Sequence, residues 1–142
     1  MNHQIEFLAE GIDFELNNSE LIADWISNIV SRENMELEYI NYMFCDDEKI
    51  LEINKQYLDH DYYTDIITFD QSEKEGIIEA DIFISIERVK DNAKEMNTSF
   101  EDELHRVIIH GVLHLCGYGD KTPEEEKLMR KKEHECLTLR PI

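Results

Sequence analysis

The sequence predicts a single α+β domain spanning residues 1–142, with a mixed sheet of about four strands, surrounding helices and one buried helix that carries metal ligands. First, 142 residues with 42% apolar content are enough to bury one core. Second, strand-like and helix-like segments follow one another without repeats or low-complexity linkers. Third, one helical segment is apolar on both sides, as expected of a central helix.

The first half of the chain supplies two strands and two helices. A strand near Gln4–Ala9 precedes a helix from about Ser19, whose apolar residues share one side: Leu21, Ile22, Trp25, Ile26, Ile29 and Val30. A second strand covers about Glu36–Cys45. Asp46 can cap a second helix with four packed positions, Ile50, Ile53, Tyr57 and Leu58.

A β-hairpin is expected in the middle of the chain. Ile66–Phe69 and Ile77–Ile84 are rich in β-branched residues, and the polar turn Gln71–Gly76 joins them. Ser85 then begins a short helix that carries Val89, Ala93 and Met96.

Two helices with strong start signals complete the domain. Ser99 can cap the first, with Asp102 at the capping-box offset. Its apolar residues occupy both sides: Leu104, Val107, Ile108, Gly111, Val112 and Leu115, with Ile109 and Leu113 opposite. Thr122 and Glu125 form a second capping signature, which predicts a last helix over about Pro123–Leu139.

The buried helix ends in a candidate zinc site. His110 and His114 are four residues apart, so both rings lie on one helical face. Gly117 can leave the helix in a left-handed conformation, and Asp120 then returns a carboxylate toward the same ion. Three protein ligands with water in the fourth position are typical of catalytic zinc, although the two histidines alone are equally compatible with satisfied core imidazoles.

Two neighbouring residues restrict the chemistry. Gly111 stands where the zinc-protease pattern His-Glu-x-x-His has its general base, so a peptidase would lack its proton acceptor. The missing side chain leaves room for a substrate or for close packing by a strand. Cys116 follows His114 by two residues, but on a regular helix its side chain points away from the histidine pair.

The net charge of −19 opposes generic nucleic-acid binding, which depends on Lys and Arg. Residues 1–60 hold 14 acids against three bases, whereas residues 121–140 gather six: Lys121, Lys127, Arg130, Lys131, Lys132 and Arg140. A bound phosphate backbone is therefore expected to approach this C-terminal basic cluster. A solvated helix face paired with neighbouring glutamates is an equally good interpretation.

Composition also bears on location and redox state. The N-terminus has neither a basic region nor an apolar one, and no apolar run approaches the length of a membrane span, so we expect a cytoplasmic protein without membrane contact. Cys45, Cys116 and Cys136 include no Cys-x-x-Cys pair, which favours reduced, buried thiols.

Four segments carry a resemblance to a known family. The run from His110 to Asp120, His-Gly-Val-Leu-His-Leu-Cys-Gly-Tyr-Gly-Asp, resembles the His-Gly-x-Leu-His-Leu-x-Gly-Tyr-Asp-His signature of the YbeY endoribonucleases, the bacterial rRNA maturation factors. Residues 53–57, 64–69 and 80–85 resemble the segments Leu-Asn-x-x-Phe-Arg, Thr-Asp-Val-Leu-Ser-Phe and Gly-Asp-Ile-x-Ile-Ser of that family in the same order.

The resemblance implies a single-strand-specific, metal-dependent endoribonuclease that processes ribosomal RNA, notably the small-subunit 3′ end, and takes part in ribosome quality control. Its partners would be ribosomal RNA and the ribosome or ribosome-associated proteins. We expect one zinc ion per chain on His110, His114 and Asp120, which would activate its bound water or polarise a phosphate oxygen. The 2′-hydroxyl of the RNA is an alternative nucleophile, and no catalytic or substrate-binding side chain is assigned.

Two departures from the family pattern keep alternatives open. Asp120 occupies the position of the family's third histidine ligand, and Leu58 occupies the position of a basic residue of the family. Lys55 lies one helical turn away and would be a weak substitute for that basic residue. Asp65 and Asp81 are expected to act as caps, turn residues or supports, not as catalysts. The acidity and Leu58 favour a non-catalytic ribosome-assembly factor with a structural metal as the second candidate, and a zinc peptidase is the third.

Overall fold

The fold is built on a four-stranded mixed sheet. A computed structural model describes residues 4–57 and 64–142. Its strands lie in the order β1-β2-β4-β3 and have these bounds: β1 Ile5–Ala9, β2 Glu36–Cys45, β3 Ile66–Asp70 and β4 Ile77–Ser85. β1 is parallel to β2 and β2 to β4, while β3 is antiparallel to β4. β3 is therefore an edge strand, and its pairing with β4 confirms the predicted hairpin.

Five helices surround the sheet in the described part of the chain. Their bounds are α1 Ser19–Arg32, α2 Asp47–Tyr57, α3 Ile86–Glu95, α4 Phe100–Leu115 and α5 Pro123–Thr138. The predicted caps are present, since Asp46, Ser85, Ser99 and Thr122 each accept a hydrogen bond from a backbone N–H in the first turn of the following helix. None of the described helices is long and apolar enough to cross a membrane.

α4 lies in the core against the sheet. Its residues Leu104, Val107, Ile108 and Val112 are at most 2% exposed. The hydroxyl of Tyr42 on β2 donates a hydrogen bond of 3.0 Å to the carbonyl of Ile108, which ties the middle of the helix to the central strands. The prediction of a buried helix is thus confirmed, and that helix forms a rigid support for the residues at its C-terminal end.

Three predicted core positions are wrong. Leu21 is 39% exposed and lies at the rim of the apolar face of α1, Tyr57 is 64% exposed in the last turn of α2, and Met96 is 50% exposed just beyond α3. Side chains at the margin of an apolar stripe or at a helix end have fewer neighbours, so periodicity overestimates their burial. Leu58, the fourth packed position expected on α2, lies outside the described residues.

Candidate metal centre

The three predicted ligands meet at the C-terminal end of α4. The Oδ2 atom of Asp120 lies 3.4 Å from Nε2 of His110 and 3.2 Å from Nε2 of His114. One ligand atom from each residue can be chosen so that all three lie within 4.8 Å of one another. The side chains are partly exposed, so the cluster faces an opening and is not enclosed in the core.

The two helices that flank Asp120 fix its position. Gly117 has a φ of +107°, and its N–H bonds to the carbonyl of His114 while the N–H of Tyr118 bonds to that of Leu113. This is the Schellman arrangement that ends a helix. Glu125 then accepts the backbone N–H groups of residues 121 and 122 and so closes the capping box of α5. Asp120 therefore lies on a short connection with both ends held.

The donor set and its spacing suit zinc. Two imidazole nitrogens and one carboxylate oxygen are ordinary zinc ligands at about 2.0–2.1 Å, and a tetrahedral ion at that distance separates its ligand atoms by about 3.3 Å. The two measured distances of 3.2 and 3.4 Å lie close to that separation. Three donors leave one tetrahedral position for water or a substrate oxygen.

Glu133 orients the first histidine. Its Oε2 lies 2.6 Å from Nδ1 of His110, and its side chain is only 2% exposed. A carboxylate at this position accepts the Nδ1 proton, so the Nε2 lone pair points toward Asp120 and stays available to an ion. No motif near the histidine pair in the sequence indicates Glu133.

A buried ion-pair network holds Glu133 in turn. Arg106 lies 3.3 Å from both carboxylate oxygens of Glu133 and 2.6 Å from Oε2 of Glu103, and Arg130 lies 3.2 Å from Oε1 of Glu133. Burial alone raises the pKa of the Glu133 carboxyl, but the hydrogen bond from His110 and the charge of Arg106 outweigh it, so the pKa is lowered. Glu133 is therefore held as a carboxylate that joins α4 to α5.

Gly111 is required by the packing of the helix on the sheet. A Cβ atom at this position would lie 3.0 Å from Cδ1 of Ile66, 3.1 Å from Cδ1 of Ile82 and 3.4 Å from Oγ1 of Thr68. Of the two interpretations of the missing side chain, the structure supports close packing by a strand. A glutamate base here would require the side chains of Ile66 and Ile82 to shift.

The remaining residues singled out in the sequence are not ligands of the cluster and make other contacts. Cys116 packs against the apolar core, and burial, with the charge of Glu33 adding to it, raises the pKa of its thiol to about 12. Asp65 accepts a hydrogen bond from Asn92 and lies 3.9 Å from Arg106, and burial raises its pKa despite that neighbour. Asp81 accepts a hydrogen bond from Asn41 on the adjacent strand.

Two open cavities adjoin the cluster and share His110 and Asp120 in their walls. The first, of about 460 Å³, is bounded by β3 and by residues of α2 and α4. The second, of about 450 Å³, is bounded by α5. Lys55 is not among the described residues that line either cavity, and Leu58 is outside the described residues.

The fold and the site define a class of protein in which a three-donor cluster that could hold a metal opens at the end of a buried helix, beside an edge strand of a mixed sheet. The chain belongs to the Endoribonuclease YbeY family, whose model matches residues 4–139.

Individual relatives agree with this assignment. The chain is 52% identical over 136 residues to a protein of Cytophaga hutchinsonii named Endoribonuclease YbeY, covering 96% of this chain and 95% of the relative. A protein of the same name from Bacteroides thetaiotaomicron is 44% identical, with 96% and 98% covered. The solution structure of a Thermotoga maritima protein superposes with a TM-score of 0.65 at 30% identity, covering 95% of this chain and 87% of that one.

Proposed function

We propose that residues 1–142 act as one zinc-dependent, single-strand-specific endoribonuclease domain with one zinc ion held by His110, His114 and Asp120. Its substrate would be ribosomal RNA, with maturation of the small-subunit 3′ end and ribosome quality control as its role in the cytoplasm. Ribosomal RNA and the ribosome or its associated proteins would be the partners. Membership of the YbeY family and the names of its relatives support the reaction class.

The observation that carries the proposal is the open position beside three converging donors. Structural zinc sites are usually closed by four protein ligands, whereas this cluster has three and faces two cavities. A bound zinc ion supplies positive charge to a phosphodiester and lowers the pKa of a water molecule.

The protein residues supply orientation and binding. Oε2 of Glu133 holds the proton of His110 on Nδ1 and leaves the lone pair of Nε2 available to bind the ion. Asp120 contributes a third, anionic donor from a connection fixed at both ends. The cavities on either side of these residues are open, and each is in the size range of a small-ligand site, which supports binding of a substrate beside the three donors.

Two observations bear on the alternative functions. A peptidase with the His-Glu-x-x-His mechanism needs a carboxylate at position 111, where the chain has Gly111 and where an added Cβ would crowd Ile66 and Ile82. A non-catalytic assembly factor would need only a closed structural site, and the open groove gives no support to that function. Because the chain has a high negative charge, a non-catalytic assembly factor is the alternative that an experiment has to exclude.

A cleavage assay separates the three functions. Purified protein is incubated with a 5′-labelled single-stranded RNA, the same RNA as a duplex, and casein, each with and without a chelator and after zinc is added back. We expect cleavage of the single strand only, lost with the chelator and restored by zinc. Casein cleavage would indicate a peptidase, and intact RNA under all conditions would indicate a non-catalytic role.

A further inference from the structure

The two cavities beside the metal cluster differ in charge. The walls of the β3-side cavity include the carboxylates of Asp65, Asp70 and Asp120 and no lysine or arginine among the described residues. The α5-side cavity is walled by Lys127 and Arg130, together with carboxylates that include Glu126 and Glu133. These two are therefore the only described cations that line either side of the site.

Both cations are available to a ligand. Lys127 is exposed and makes no ion pair within residues 4–57 and 64–142. The side chain of Arg130 is 60% exposed, and one of its nitrogens contacts Oε1 of Glu133, which anchors the guanidinium beside the site. Its other nitrogens make no ion pair in the part of the chain that the structure describes, so they can bind a ligand.

Other lysines of the C-terminal basic cluster are placed differently. Lys132 lies 3.2 Å from Oε2 of Glu33 and 5.5 Å from the ring centre of Tyr118, and it lines a separate cavity between α1 and α5. Lys131 is exposed and lines neither cavity of the site. The cluster as a whole is thus not one binding surface, and among its described members only Lys127 and Arg130 line a cavity beside the candidate metal site.

We propose that Lys127 and Arg130 hold a backbone phosphate of the RNA on one side of the cleaved linkage, while the β3-side cavity takes ribose and base. The proposal rests on the proposed endoribonuclease function. Each cavity has three carboxylates in its walls, and Asp120 belongs to both, but only the α5 side adds a lysine and an arginine, the residues that mainly hold phosphates. Carboxylates without such cations repel a phosphate and accept hydrogen bonds from hydroxyl and amino groups. The RNA strand then places a phosphate against the α5 side and a ribose and base against the β3 side. This difference fixes the direction of the RNA across the three metal ligands.

The test measures binding without cleavage. A fluorescent 2′-O-methyl oligonucleotide is titrated with zinc-loaded protein at several salt concentrations, first unmodified and then with one phosphate at a time replaced by a neutral methylphosphonate. Wild type is compared with Lys127→Gln, with the double variant Lys127→Gln/Arg130→Gln, and with the control Lys74→Gln/Lys131→Gln, which removes the same charge from exposed positions outside both cavities.

The double variant should bind up to about 25-fold more weakly at 0.1 M salt, and Lys127→Gln alone about fivefold more weakly. The slope of log affinity against log salt should become shallower by about 0.7 in the double variant, as expected for the loss of one phosphate contact in a single strand. It should also no longer respond to the methylphosphonate that weakens wild type most. Zinc content is measured in every variant because Arg130 contacts Glu133.

Equal losses in the double variant and in the control would overturn the proposal, because they would show an effect of net charge alone. Unchanged affinity of Lys127→Gln with normal RNA cleavage would overturn it while the proposed function stands. If wild type neither binds nor cleaves single-stranded RNA, the proposed function fails as well, and this proposal with it.

Discussion

Replacing Glu133 by Gln should weaken zinc binding although Glu133 is not a ligand. Oε1 of Glu133 faces both Arg106 and Arg130, whereas Oε2 faces only Arg106 of these two. The NH₂ group of a glutamine would therefore meet two cationic donors at the Oε1 position and one at the Oε2 position. The amide is therefore expected to place its NH₂ group toward Nδ1 of His110, now 2.6 Å from Oε2. That hydrogen bond favours the tautomer with its proton on Nε2, the atom needed for the ion.

The expected loss can be bounded from the contacts. Removal of a carboxylate that orients a histidine ligand typically costs 10- to 100-fold in metal affinity, or about 1.4–2.8 kcal/mol. We expect the upper part of this range because the wrong tautomer is favoured as well. The metal-free protein should lose about 1–3 kcal/mol of stability, since Arg106 keeps its contact with Glu103 but loses one buried anionic partner.

The assay is a competition between the protein and a chelating dye for zinc at pH 7.5, with urea unfolding of the metal-free protein run in parallel. Glu135→Gln is the matched control, because it removes the same charge from the same helix at an exposed residue that pairs only with Lys132 among the described residues. Zinc affinity of Glu133→Gln within twofold of the control would refute the orienting role of Glu133.

Three further predictions follow from the packing, the third ligand and a buried imidazole. Gly111→Ala should lower the free energy of unfolding, measured in urea, by about 1–2 kcal/mol, because the new Cβ would crowd Cδ1 of Ile66. Ile66→Val in the same background should recover part of the lost stability. An unchanged free energy of unfolding in Gly111→Ala would contradict the close packing of the helix on the sheet. In the same dye competition, Asp120→Ala should bind zinc much more weakly, while Asp120→His should retain zinc binding. Equal zinc affinities of Asp120→Ala and wild type would exclude Asp120 as a ligand. Burial and the charge of Arg140 lower the pKa of His105, so the unfolded chain binds the proton first as the pH falls through the ordinary value of 6.5. The free energy of unfolding should therefore fall as the pH is lowered from 7.5 to 5.5, and urea unfolding of His105→Gln should show a weaker dependence on pH. The same pH dependence in His105→Gln and wild type would contradict this role of His105.

Local sequence signals predicted most of the fold. The caps at Ser99 and Thr122, the β-branched segments and polar turn of the hairpin and the apolar periodicity of α4 act over a few residues, and the structure has each of them where expected. The same locality explains the errors at Tyr57 and Met96. Periodicity identifies the side of a helix that faces the core, but burial at a helix end depends on which other elements cover it.

The candidate ligands were accessible to sequence analysis because His110, His114 and Asp120 lie within one helix end and its turn. Glu133 could not be found in this way, because it contacts His110 from a different helix, 23 residues further along the chain. One signal was present: Glu133 lies between Met129 and Cys136 on the buried stripe of α5, where an acid needs a buried partner. The sequence did not reveal that Arg106 and His110 are those partners.

The central claim is that RNA is cleaved at the metal held by this cluster. The most direct test measures zinc content and single-stranded RNA cleavage on the same preparations of wild type, His114→Ala and His134→Ala. His134 is exposed on α5 outside the cluster, so its variant should keep one zinc per chain and wild-type cleavage. His114→Ala should lose both zinc and cleavage while remaining folded by circular dichroism. Full zinc occupancy or undiminished cleavage in His114→Ala would contradict the claim.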